Sequence, residues 1–136
     1  MTLEKFRIMH SELIEHYQFI EMHLEAICAY LSDKSFMQGL EDVEKSNISH
    51  IVREIKKHEC EKSISVLSAE DYDRIEAMRL RRNFWCHDCY AKMVFDAKTW
   101  GPKKEKDRKA LVDDTMEARD LRAKLFQIQV NLLYPR

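Results

Sequence analysis

Residues 3–31, LEKFRIMHSELIEHYQFIEMHLEAICAYL, decide the fold class. Phe6, Met9, Leu13, Ile20, Leu24, Ile27 and Leu31 recur there at steps of three, four or seven, the stripe of an amphipathic helix. Thr2 is placed to cap this helix and Ser32-Asp33 to end it. At a rise of about 1.5 Å per residue the helix is ~43 Å long, an axis for a single domain.

The same period continues along the chain. A weaker helical segment covers Ser35–Glu44, with Gly39 inside it. Asn47 or Ser49 then caps a helix running to about Cys60–Val66, with Ile48, Ile51, Val52 and Ile55 on one side. Ser68-Ala-Glu-Asp71 opens another, a capping serine followed by acids that suit the helix dipole. It runs through Ile75, Met78, Leu80, Phe84, Ala91 and Val94 to about Ala97. Trp100-Gly101-Pro102 breaks the pattern, and Trp100 is expected to anchor this loop to the bundle. From Lys103 to Leu133 a seven-residue stripe returns: Leu111, Ala118, Leu121, Leu125, Ile128 and Leu132. The expectation is one all-α domain over residues 1–136, an antiparallel bundle of four to five helices.

Composition agrees. With two Gly and two Pro in 136 residues there are too few turn formers for a many-stranded barrel or sandwich. No run approaches the ~18 apolar residues of a membrane span, and residues 1–17 lack the apolar core of a leader. A cytoplasmic setting and reduced thiols at Cys28, Cys60, Cys86 and Cys89 follow as expectations.

Net charge is −1, the sum of unlike parts. Residues 1–78 hold 9 basic and 16 acidic side chains, a net −7, whereas residues 79–109 hold 10 basic and 4 acidic, a net +6. Residues 110–136 balance at 4 and 4. The basic segment is the one that carries the candidate chemistry. A phosphate backbone is therefore its natural partner.

That chemistry lies in Leu80-Arg81-Arg82-Asn83-Phe84-Trp85-Cys86-His87-Asp88-Cys89-Tyr90. On a regular helix, position 87 falls on the stripe of Leu80, Phe84, Ala91 and Val94, which predicts a desolvated, neutral imidazole. Asn83 and Tyr90 lie about one turn to either side of it. Arg82 sits about 140° around a straight helix from His87, so joint action needs a bent helix, a long reach or a second copy of the chain.

Arg82-Asn83-Phe84-Trp85-Cys86-His87 resembles the Arg-x4-His motif of HEPN domains, small helical bundles that are often homodimers and often metal-independent endoribonucleases of toxin–antitoxin and other defence systems. A polar residue after the arginine and an apolar interior are usual in that motif. Arg53-x4-His58 has the bare spacing but lacks the Asn and is followed by a charged stretch, and is taken as a solvated helix face. The resemblance implies Arg82 and His87 as catalytic pair, with Asn83 in support. It also implies RNA as substrate, a homodimer, no metal and no cofactor, with a 2′,3′-cyclic or 3′-phosphate and a 5′-OH as products. In the HepT toxins a tyrosine at His-x-Tyr is modified by a nucleotidyltransferase antitoxin. Here it stands at His-x-x-Tyr, as Tyr90, a residue for modification or support.

Metal-free RNA cleavage needs a base for the 2′-OH, an acid for the leaving 5′-oxygen and positive charge on the phosphate. His87 suits the first roles and Arg82 the last. Arg79, Arg81, Lys103 and Lys104 are the candidate contacts to further phosphates. The alternative is a catalytically silent helical bundle serving as a dimeric interaction or nucleotide-binding module. Cys86-x-x-Cys89 could begin a zinc site but lies inside a helix, so buried thiols are expected instead. His10, His16 and His23 are expected to be half-exposed helix residues, with His16 and His23 able to flank a seam.

Overall fold

A side-chain acceptor waits in front of each of the first four helices. Thr2 accepts from Lys5 N at the head of α1 (Leu3–Leu31), Ser35 from Gln38 N at α2 (Phe36–Val43), and Asn47 from His50 N at α3 (Ile48–Lys62). Ser68 and Asp71 form a reciprocal capping box at α4 (Ala69–Asn83). The computed structural model describes residues 1–134. After α4 the helix widens into a π turn, Phe84–Asp88, tightens again as α5 (Cys89–Lys92) and stops, short of the expected Ala97. The last helix, α6, spans Glu105–Leu133. No strand occurs among the described residues, and the architecture is the expected all-α bundle.

Ion pairs and hydrogen bonds between helices give the directions. Arg82 meets Glu21 and Trp85 meets His10, so α4 runs against α1. Arg74 meets Glu117 and Asp120 while Arg81 meets Asp114, so α4 also runs against α6. Glu12 meets Arg119, His16 meets Arg122 and His23 meets Gln129. Hence α4 is antiparallel to α1 and α6, as expected, whereas α1 and α6 lie side by side in the same direction and so depart from the expected antiparallel pattern.

The core is one cluster. Phe6, Leu13, Tyr17, Ile20, Leu24 and Ile27 of α1 pack on Ile51 and Ile55 of α3, on Ile75, Met78 and Trp85, and on Leu111, Ala118, Leu121 and Leu125 of α6. Burial of such side chains is worth roughly 1.5–3 kcal/mol each before chain entropy is counted. The turn from α3 into α4 is fixed by buried Glu59, which accepts from the amides of Val66 (2.6 Å) and Leu67 (3.0 Å) and from the Tyr72 hydroxyl.

The link from α5 to α6 folds under the start of α1. Leu3 N donates to Thr99 O (3.1 Å), and Asp96 accepts from the amides of Lys98 (2.8 Å) and Thr99 (3.0 Å). Gly101 and Pro102 are buried there, and a Cβ at Gly101 would strike the Met1 backbone. Trp100 does not anchor the loop as expected. It is 65% exposed with φ 60, because the buried contacts are made by its two successors.

Candidate functional site

The π turn sits on the Arg82-x4-His87 stretch. The Cys89 amide reaches back five residues to the Phe84 carbonyl and bypasses Trp85, whose carbonyl an α-turn would have used. Trp85 O instead accepts from His10 Nε2 of α1 at 2.7 Å and from the Cys89 thiol at 3.4 Å. A carbonyl can only accept, so His10 carries its proton on Nε2. The indole of Trp85 is buried and donates Nε1–H to Asp114 Oδ2 at 2.7 Å. The extra residue in the turn is thus held from both neighbouring helices.

The helix on either side of the turn keeps one side to the core. The inward line is Asp71, Ile75, Met78, Trp85, Cys89 and Met93. The stripe expected in the core lies outside: Leu80 is 57% and Val94 44% exposed, His87 and Ala91 are exposed, and Phe84 is half-buried. The expected desolvation of His87 is therefore corrected to an imidazole facing outward. Asn83 is exposed beside it and makes no side-chain hydrogen bond among the described residues.

Arg82 is half-buried and points toward α1. Its Nη2 donates to Glu21 Oε2 at 3.1 Å, and its guanidinium also lies against Cys86, one turn on. Partial desolvation pushes the Cys86 thiol up, exposed though the residue is, and the Arg82 charge opposes it. Because the π turn takes an extra residue, it narrows the angle of about 140° that separates Arg82 from His87 on a regular helix. No hydrogen bond joins Arg82 to His87 among the described residues.

The predicted phosphate contacts divide. Arg79 is forked onto Glu76 of its own helix at 2.6 and 2.9 Å. Arg81 donates to Asp114 at 2.7 Å, with its guanidinium 5.2 Å from the Phe84 ring centre, so it pins α4 to α6. Lys103 and Lys104 are exposed before α6. Tyr90 is 50% exposed, its ring packed on Phe6, His10 and Phe95.

Two residues of this region escaped the sequence reading: Glu21 and Asp114 carried no local signal. His10 is half-exposed as expected, while its bond to the Trp85 carbonyl was not foreseen. His16 and His23 are buried, not half-exposed, because α6 lies across them. His16 Nδ1 is 3.1 Å from Arg122 Nη1, and His23 Nδ1 is 2.7 Å from Gln129 Oε1. Cys86 is exposed and Cys89 buried, so only one thiol of the pair is the buried kind expected. Among the described residues no helix is long and apolar enough to cross a membrane.

No family model, curated protein or solved structure matches this chain.

Proposed function

We propose that this chain is a metal-independent endoribonuclease of the HEPN type, active as a homodimer, with His87 and Arg82 at the cleaved phosphate. The observation that carries this reading is the outward position of His87 on a π turn, among exposed Leu80, Ala91 and Val94. An exposed apolar helix side is an interface signal. A two-fold pairing through it would set two imidazoles and two guanidinium groups around one cleft. A widened turn that tertiary contacts must hold in place is also a common companion of functional sites.

In this reading His87 takes the 2′-OH proton while Arg82 holds a phosphate oxygen, and an imidazolium returns a proton to the leaving 5′-oxygen. Asn83, exposed at the same turn, orients the sugar or the phosphate. Tyr90, at the rim, is where a nucleotidyltransferase antitoxin would act. The biological setting that fits is toxin–antitoxin defence.

The test is complementation. Arg82→Ala and His87→Ala chains, each inactive alone, regain RNA cleavage when unfolded and refolded together if the two residues act across a dimer. A monomer in solution, or no recovery in a mixture shown to form heterodimers, contradicts the shared site. The Arg82–Glu21 ion pair favours a second reading, a silent dimeric module. That reading requires a stable dimer without cleavage by the wild-type chain.

A further inference from the structure

Between the π turn and the first turns of α6 lies a cleft of about 600 Å³, the most spacious of those described. Its walls bring together Arg81, Phe84, Lys92, Lys104, Lys106 and Asp107. We propose that this cleft binds single-stranded RNA, with one base stacked on Phe84 and the flanking phosphates on Lys104 and Lys106. The choice of RNA rests on the ribonuclease reading above; the charge and aromatic chemistry of the cleft do not.

The charges of the cleft are unequally committed. Asp114 is already shared by Arg81 and the Trp85 indole, and Asp113 is bound by Lys109. Asp107 sits in the first turn of α6, where it complements the helix dipole. Lys92 reaches Asp88 at 3.4 Å, with both groups largely in water. Lys104 and Lys106 line the cleft, are exposed and have no carboxylate partner among the described residues. Two uncommitted ammonium groups lining one cleft with a half-buried ring match the needs of a nucleotide: cations for the backbone, a flat apolar surface for the base. Arg81 stiffens that surface from below, held by Asp114 with its guanidinium against both Phe84 and Trp85.

Single strands are specified because only an unpaired base presents its face to a ring; in a duplex the faces are stacked away. The position also suits the proposed chemistry. Phe84 and His87 belong to one turn, so the cleft lies within about a helix diameter, ~10–12 Å, of the imidazole. A strand whose reacting phosphate rests at His87 has its neighbouring nucleotide at the cleft.

The test is fluorescence anisotropy with a labelled 12-nucleotide single-stranded RNA and its duplex, in the His87→Ala background so that the probe survives. Lys104→Glu/Lys106→Glu is compared with Lys45→Glu/Lys57→Glu, an equal charge change at the α2–α3 end. Both cleft substitutions fall at the head of α6, where acids favour the helix, so folding is preserved. The expected result is at least a tenfold weaker single-strand affinity for the cleft pair and less than a threefold change for the other. The salt dependence, read from Lys104→Ala/Lys106→Ala, drops by a slope of about 1.4, two contacts at ~0.7 each. Phe84→Leu weakens the single strand several-fold with the slope unchanged. Equal loss from both charge pairs, or duplex bound as tightly as single strand, overturns the proposal. Tight, cleft-dependent binding by a wild-type chain that never cleaves sustains the cleft and defeats the ribonuclease reading. Cleavage that ignores the cleft substitutions does the reverse.

Discussion

His10 of α1 donates from Nε2 to the carbonyl oxygen of Trp85 at 2.7 Å, across 75 residues of sequence. Through this bond the longest stripe of the core sets the backbone of the turn that carries His87. The catalytic proposal and the fold therefore share a hinge point, and several consequences can be measured.

Replacing His10 by Ala leaves the Trp85 carbonyl without its ring donor. The expected loss is about 1–3 kcal/mol, the usual cost of stranding a part-buried polar group. Urea denaturation reads the total, and faster amide exchange confined to residues 84–89 shows that the turn relaxes to an ordinary helix. Uniform exchange across α1 would mean that His10 acts only through packing.

Asp114 is the opposite staple, accepting from Arg81 and from the Trp85 indole. Asp114→Ala is expected to cost on the order of 1–3 kcal/mol, discounted because Arg81 is part-exposed. Trp85→Phe in the Asp114→Ala background should then cost measurably less than in the wild type, since the indole bond is already gone. A thermal or urea double-mutant cycle checks this, and strict additivity would refute the shared acceptor.

Burial holds the His23 imidazole below its ordinary pKa; the Gln129 bond opposes this and the Arg122 charge adds to it. The unfolded chain, with a histidine near 6.5, thus binds the proton first as pH falls. The stability His23 gives is complete above about pH 6.5 and is lost as pH falls from there through the lower, folded-state value. Urea midpoints measured from pH 7.5 down to about 5 should fall less steeply for His23→Gln than for the wild type. Parallel curves would place the pH sensitivity elsewhere.

Arg82 is bound to Glu21, and a phosphate must compete with that carboxylate. Glu21→Gln keeps the shape and removes the charge. If Arg82 serves the phosphate, this variant cleaves RNA faster than the wild type, by roughly threefold to tenfold for ~0.7–1.4 kcal/mol of released competition. Slower cleavage, with the fold intact, would assign Glu21 to positioning Arg82 instead.

The helices were legible because their stripes are long and their caps are local: Thr2, Ser35, Asn47 and Ser68 each announce a helix. The facing of the motif was not. Leu80, Phe84, Ala91 and Val94 repeat as a core stripe would, but the line that faces the core is Asp71, Ile75, Met78, Trp85, Cys89 and Met93, and Leu80 already lies outside it before the π turn begins. The contacts that hold the turn come from His10 and Asp114, which lie 75 and 29 residues from Trp85. A pattern read over two turns contains neither. Likewise Arg79 and Arg81 were indistinguishable from Lys103 and Lys104 as cations. Their acid partners, Glu76 and Asp114, separate them in space.

The central claim is tested most directly by incubating purified protein with end-labelled single-stranded RNA in EDTA, wild type beside His87→Ala. The account predicts cleavage by the wild type, products ending in a 2′,3′-cyclic or 3′-phosphate and a 5′-OH, and a loss of at least about 10²-fold in the variant. Intact RNA with the wild-type dimer, or equal cleavage by the two proteins, would contradict it.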